Sequence, residues 1–201
     1  MNTKTKLETI NLDELLGNQA QLSPATYQYY KCLNERKIII NDEITSDIVE
    51  NYILPLLEWD NDGTGNPIDI ILNSCGGSVF DGLVLCNIIE KLKTPTTITV
   101  LGYAYSMAGL ILLSGANNKN VFRKCYEFST GLIHSGQSCL EGSTSIVKDT
   151  FKFQEKIDIK IKEFILTHSK ITEEEYEKME RYEWYMTSDE MIRTGLIDEI
   201  I

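Results

Sequence analysis

Hydrophobic positions fall along this chain in blocks whose spacing alternates between that of strands and that of helices. Residues 36–41, 68–73 and 97–101 are β-branched or aliphatic runs bounded by turn residues, and predict buried strands. Residues 27–33 read as a short helix. Ile48, Tyr52, Ile53 and Leu56 give residues 45–57 one helical face, with Ser46 or Asp47 as the cap. Residues 60–67 are a loop by their Asn, Asp, Gly and Pro content. The strand at 68–73 runs through Ser74-Cys75-Gly76-Gly77-Ser78 into a helix at about 79–92. The strand at 97–101 runs through Gly102-Tyr103-Ala104-Tyr105-Ser106-Met107-Ala108-Gly109 into the apolar start of another. Two consecutive strand–turn–helix units predict parallel strands with right-handed crossovers, both turns lying at the same end of the sheet. That arrangement puts Gly76 and Gly77 beside Ser106.

After a turn at 117–120, residues 121–123 and 129–133 are short strand-like pieces, the second ending at His134. A polar loop at 135–145 leads into a long helix at 146–167. Phe153, Ile157, Ile161, Phe164 and Ile165 form its apolar stripe, and Lys152, Glu155, Lys156, Lys160 and Glu163 carry its charge. Thr172 caps a helix whose first turn is Glu173-Glu174-Glu175. Residues 182–186 read as a brief strand. Thr187-Ser188-Asp189-Glu190 opens a helix that stops at Gly195, and residues 196–201 close the chain as a strand. Residues 1–25 are polar and mixed, with one short apolar patch at Leu12, Leu15 and Leu16. They are expected to form an N-terminal arm, mobile or ordered only within an assembly, ahead of one domain at 26–201.

Charge and cysteine usage narrow the function classes. A net charge of −11 argues against nucleic acid as a partner, because no basic patch offsets phosphate repulsion. The five cysteines are odd in number and show no C-x-x-C pair, which fits free thiols in a reducing, cytoplasmic setting. With two histidines besides, no ligand spacing suggests a metal site, and no cofactor is expected. The N-terminus has no apolar signal core, and no apolar run approaches membrane-spanning length, so no membrane association is expected.

Ser106 lies in a segment with small residues on both sides (Gly102 and Ala104, Ala108 and Gly109) where a strand meets a helix. There, free backbone N–H groups and the helix dipole favour developing negative charge. Its hydroxyl can serve as a nucleophile or only cap the helix. His134 follows an apolar strand and precedes a Ser/Gly loop, a position that suits a general base and equally a structural histidine. His168, near the end of the long charged helix, reads as solvated. Acyl transfer by a serine needs a base on the hydroxyl, an orienter for the base, and donors for the oxyanion.

These residues carry a resemblance to the ClpP family, the proteolytic subunit of the Clp protease. Residues 73–79 (Asn-Ser-Cys-Gly-Gly-Ser-Val) resemble its N-S-P-G-G-S-V turn, and Gly102 to Ala108 resemble its G-x-A-x-S-M nucleophile segment. Leu132-Ile133-His134 resembles its M-I-H segment, and residues 187–198 resemble its closing helix and G-L-[VI]-D strand. All four occur in order over residues 36–201. The resemblance implies an α/β, ClpP/crotonase-like fold of stacked ββα units with a protruding handle helix, supplied here by 146–167. It implies a serine endopeptidase with Ser106 as nucleophile, His134 as base, and the Gly77 and Met107 backbone N–H groups as oxyanion hole. It further implies a homo-oligomeric tetradecamer of two stacked heptameric rings. Unfolded polypeptide or peptide would be cleaved in the chamber, fed by an AAA+ unfoldase.

The chain departs from the family pattern at several points. Counting back twelve residues from Gly195 without a gap, the family's triad aspartate falls on Glu183. Glutamate can orient a histidine, although its extra methylene needs the backbone set further back; otherwise Glu183 is a surface acid and Asp189 a helix cap. Cys75 replaces a proline and is expected to be a small buried filler rather than an activated thiol. The link from Ser106 to His134 is longer than the family's by an insertion around 117–120, and the N-terminal arm lacks the family's gate-like pattern. Two other readings stay open: a non-catalytic ring subunit or scaffold, and a crotonase-like acyl-CoA enzyme. The peptidase reading requires the hydroxyl at 106 to meet the imidazole at 134.

Overall fold

In the computed structural model the described residues are 23–136 and 139–201. The expected arm's Leu12, Leu15 and Leu16, and Gln137 and Ser138 of the expected loop, lie outside them. Helix α1 (Pro24–Asn34) starts with proline at its first position, capped by Ser23, whose Oγ accepts from the Thr26 N–H at 3.1 Å. Strand β1 (Lys37–Ile40) follows. Arg36, at φ +55°, precedes it and turns its guanidinium onto Asp62, the Trp59 carbonyl and the Trp59 ring.

The helix expected at 45–57 is displaced and irregular. A π-type turn over Val49–Ile53 feeds helix α2 (Leu54–Asn61), and neither Ser46 nor Asp47 caps it, the first turn starting from Ile48 without a side-chain cap. Pro55 explains the irregularity. It has no N–H to give, and its ring would press on the carbonyl one turn back, so the preceding turn widens. The Leu54 N–H then reaches the Val49 carbonyl.

Strands β2 (Ile68–Ser74) and β3 (Thr96–Tyr105) run parallel to β1 in the order β1-β2-β3. Helix α3 (Val79–Ile89) connects β2 to β3, and helix α4 (Met107–Ser114) follows β3 directly. Every residue of α4 is buried, which matches its uniformly apolar sequence. It packs with Leu85 and Ile89 of α3 and with Ile70, Leu72, Ile98 and Val100 of the sheet in one continuous core.

β3 is longer than its sequence suggests. Gly102 to Tyr105, expected as turn, are strand, and only Ser106 separates strand from helix. The register with β2 shifts here, from Leu72 opposite Val100 to Ser74 opposite Ala104. The Asn73 side chain fills the irregularity, its Oδ1 accepting from the Tyr103 N–H at 3.3 Å. A Cβ on Gly102 would lie 2.9 Å from that oxygen, so the glycine makes room for the asparagine rather than ending the strand.

The extra length lets β3 serve two neighbours. Its first half pairs in parallel with β4 (Val121–Cys125), and its second half with β5 (Thr130–Ile133). Beyond β5 lie the handle helix α5 (Thr144–His168), helix α6 (Glu173–Met179), strand β6 (Trp184–Thr187), helix α7 (Ser188–Thr194) and strand β7 (Glu199–Ile200). β6 pairs antiparallel with β5, and β7 pairs parallel with β4. The result is a mixed α/β fold around a parallel-dominated sheet.

Helix α7 has a full capping box between Thr187 and Glu190, so Asp189 is not its cap, and it ends on Gly195 at φ +78°. The closing strand is much shorter than 196–201. Buried Arg123 takes the carbonyls of Gly195 and Leu196 at 2.8 and 2.9 Å, removing them from any ladder, and pairs with Asp198 through Nη2–Oδ1 at 2.6 Å. His168 is not solvated as expected. It stacks on Phe164 with ring centres 4.1 Å apart, and its Nε2 meets Glu90 at 2.8 Å. The packing of the C-terminal half of α5 against the core accounts for this, with Ile165 fully buried.

Removing the carboxylate beside Arg123, whose side chain is 5 % exposed, would leave a buried charge unpaired. Asp198→Ala is expected to cost about 3 kcal/mol, read as a lowered urea midpoint with unchanged slope.

Candidate active site

Three strand ends converge at one point, and main-chain pairing puts them there. The Ser106 N–H donates to the Leu132 carbonyl at 2.9 Å, continuing the β3–β5 ladder by one residue. On the other side of β5, Ile133 lies opposite Trp184 in the antiparallel pair with β6. The next residues outward on these two strands are His134 and Glu183, which therefore face each other across the strand ends.

The side chains complete the arrangement. His134 Nε2 lies 2.7 Å from Ser106 Oγ, and its Nδ1 lies 3.0 Å from Glu183 Oε1. A carboxylate can only accept, so the network assigns the imidazole proton to Nδ1 and leaves Nε2 to accept from the serine hydroxyl. Ser106 precedes α4 in the cap position but makes no side-chain cap hydrogen bond. Its hydroxyl meets the imidazole instead of capping the helix. The ring is 20 % exposed, whereas the Glu183 side chain is 52 % exposed.

The backbone at Ser106 is strained, with φ +54° and ψ −122°, a region that non-glycine residues rarely occupy. The neighbouring turn is built to accept it. At Gly76, φ +93°, an added Cβ would lie 2.6 Å from the Tyr105 carbonyl, 2.8 Å from Ser106 Cβ and 2.9 Å from Met107 N. Gly76 thus lies against the serine, as the parallel crossovers predicted, while Gly77 packs against Glu43 and Ile44. Ile44 bridges this turn, its N–H donating to the Gly76 carbonyl and its carbonyl accepting from the Ser78 N–H, both at 2.8 Å. In such a bridge the intervening residue directs its own N–H away from the partner strand, so the Gly77 amide faces away from Ile44. The Met107 N–H is the first of α4, one of the amides a helix leaves unpaired along its own axis.

A cleft of about 620 Å³, counting its open mouth, begins at Ser106 and His134. Val79, Met107, Leu110, Ile133 and Ile161 make its apolar wall, and Asp158, Tyr176 and Glu180 also line it. The last three lie on or beside α5 and α6 and carried no signal in the sequence, since nothing in their spacing relates them to residues 106 or 134.

The model of the Clp protease family matches residues 20–201. The chain belongs to the Clp protease family. It is 24% identical over 173 residues to the ATP-dependent Clp protease proteolytic subunit of Deinococcus radiodurans, covering 86% of this chain and 83% of that one. Proteolytic subunit 1 of Salinibacter ruber is 25% identical over 174 residues, with 86% and 73% covered. Proteolytic subunit 2 of Prochlorococcus marinus is 26% identical over 171 residues, with 83% and 81% covered.

One expectation about this Clp-family turn fails. Cys75 is exposed, not a buried filler. Ser74 before it ends β2 pointing inward, its Oγ donating to the Asp42 carbonyl at 2.6 Å, so the next side chain points out. Among the described residues, no helix is long and apolar enough to cross a membrane.

Because Gly76 has no room for a side chain, Gly76→Ala is expected to move the Ser106 segment. Acylation of Ser106 by a fluorophosphonate should slow by about 10²-fold, with far-UV circular dichroism unchanged. Labelling at the native rate would mean that the turn does not hold the serine in place.

Proposed function

We propose that this chain, a ClpP-like serine peptidase by family, cleaves unfolded polypeptides with Ser106 as nucleophile, His134 as general base and Glu183 as its orienter. The observation that carries the reading is the 2.7 Å contact between His134 Nε2 and a serine hydroxyl not used for capping. As Ser106 Oγ bonds to the peptide carbonyl carbon, its proton passes to Nε2. The carbonyl oxygen takes the developing charge between the Gly77 and Met107 N–H groups. When the C–N bond breaks, His134 returns that proton to the leaving amine. Water then attacks the acyl ester with His134 again as base, and Ser106 leaves as the hydroxyl. Glu183 keeps the Nδ1 proton in place throughout and lowers the cost of the transient imidazolium. The acyl-CoA and scaffold readings give this serine–histidine contact no work.

The assembly reading is that of the family: two stacked heptameric rings enclosing the sites, supplied by an AAA+ unfoldase in the cytoplasm. The handle helix supports it. Ile146, Phe151 and Phe153 of its N-terminal half, and Ile159 beyond them, are exposed on the isolated chain. Phe80 stacks on Phe153 with ring centres 6.1 Å apart, which extends this apolar surface onto α3. Free thiols at all five cysteines suit a reducing compartment.

A fluorophosphonate probe is expected to label the assembled protein, and Ser106→Ala to abolish both labelling and peptide hydrolysis, the rate falling on the order of 10⁶-fold. Labelling that persists in Ser106→Ala would sink the assignment. Glu183→Gln is expected to lower kcat with little change in KM. The loss should exceed about tenfold but stay below the roughly 10⁴-fold seen for buried triad aspartates, because solvent reaches this carboxylate.

A further inference from the structure

The cleft beside Ser106 has a chemical character that the catalytic steps do not use. Its lining is apolar at Val79, Met107, Leu110, Ile133 and Ile161, while Asp158 of α5 and Glu180 just beyond α6 add two exposed carboxylates. Among the described residues, neither carboxylate has a cation within ion-pairing distance. Asp158 accepts one hydrogen bond, from Gln154 Nε2 at 2.8 Å, and the described lining contains no lysine or arginine. The nearby ammonium of Lys162 is taken by Glu173 at 2.9 Å and Glu177 at 3.6 Å. Tyr176, also in the lining, reports the local field. Burial first, then the charge of Glu180, raises its phenol above the ordinary range; Lys162 opposes this, and Asp158 adds to it.

Met107 and Leu110 project from the helix whose first N–H serves the oxyanion in the proposed mechanism. The residue whose carbonyl sits there has its side chain nearest this cleft. Resting on the serine-peptidase reading, we propose that the cleft is the acyl-side specificity pocket and selects a residue with an apolar stem and a cationic end, lysine or arginine. The methylenes lie along the apolar wall, and the charged end meets Asp158 and Glu180 at the mouth, the division of labour long basic side chains adopt wherever an apolar surface borders water. An acidic residue is repelled by the same pair.

The test uses the assembled full-length protein and three fluorogenic peptides that differ only at the acyl-side residue: lysine, its neutral isostere norleucine, and glutamate. Ion pairs at a solvent-open mouth are weak, so kcat/KM for lysine should exceed that for norleucine by about three- to tenfold at low salt, with glutamate below both. In Asp158→Asn/Glu180→Gln the lysine-to-norleucine ratio should fall towards one. In the unaltered protein, 0.5 M salt, on the order of a 4 Å screening length, should compress it likewise. Hydrolysis of norleucine with no lysine advantage overturns this inference and leaves the peptidase reading standing, as does a ratio that survives both the double substitution and salt. Failure to hydrolyse any of the peptides, together with failure of Ser106 to be acylated by a fluorophosphonate, overturns both.

Discussion

The site depends on one strand being paired on both edges in fixed register. β5 is four residues long, yet it is parallel to the end of β3 on one side and antiparallel to β6 on the other. Each ladder aligns a different residue of the candidate site, Ser106 through the first and Glu183 through the second, with His134 continuing β5 itself. Because side chains alternate with a period of two, a slip of one residue in either ladder would turn one of the three to the opposite face. The side-chain contacts around the site reinforce the same register. Tyr105 hydrogen-bonds Thr130 at 2.7 Å and stands edge-on to Tyr185, tying β3, β5 and β6 together one step behind the chemistry.

Holding the hydroxyl clear of the helix that follows requires an unfavourable backbone at Ser106, a cost of about 1–3 kcal/mol. The burial of α4 offsets it readily, since each large aliphatic side chain taken from water contributes about 1.5–3 kcal/mol, and Leu110 to Leu113 are four in a row. A helix with no exposed face has no freedom to roll or slide. The strain therefore stays at residue 106 instead of relaxing into the turn. Gly76 supplies the space that this geometry needs.

Much of this was legible in the residues, and the exceptions have physical causes. The aliphatic runs located β1 to β3, and the Thr172 and Thr187 boxes located the two short helices, because each is a local signal with a local mechanism. The proximity of Gly76 to Ser106 followed from parallel crossovers alone. What failed were features settled by distant partners. Gly102 suggests a turn until Asn73 is seen to occupy the space it leaves. The end of the chain suggests a strand until Arg123 claims its carbonyls. His168 looks solvated until Glu90, far away in sequence, is brought beside it. Glu183 had no local signature and was reachable only through the family resemblance. Its place beside His134 rests on an antiparallel pairing between strands about fifty residues apart, which no window of sequence displays.

The positive φ at residue 106 also limits which side chains can stand there. Threonine carries the same hydroxyl, but its γ-methyl would branch a side chain at a φ of +54°, where branched residues are outliers. The choice of alcohol at this position is thus constrained by the torsion angle beneath it, and a branched replacement would first require a different bend in the polypeptide.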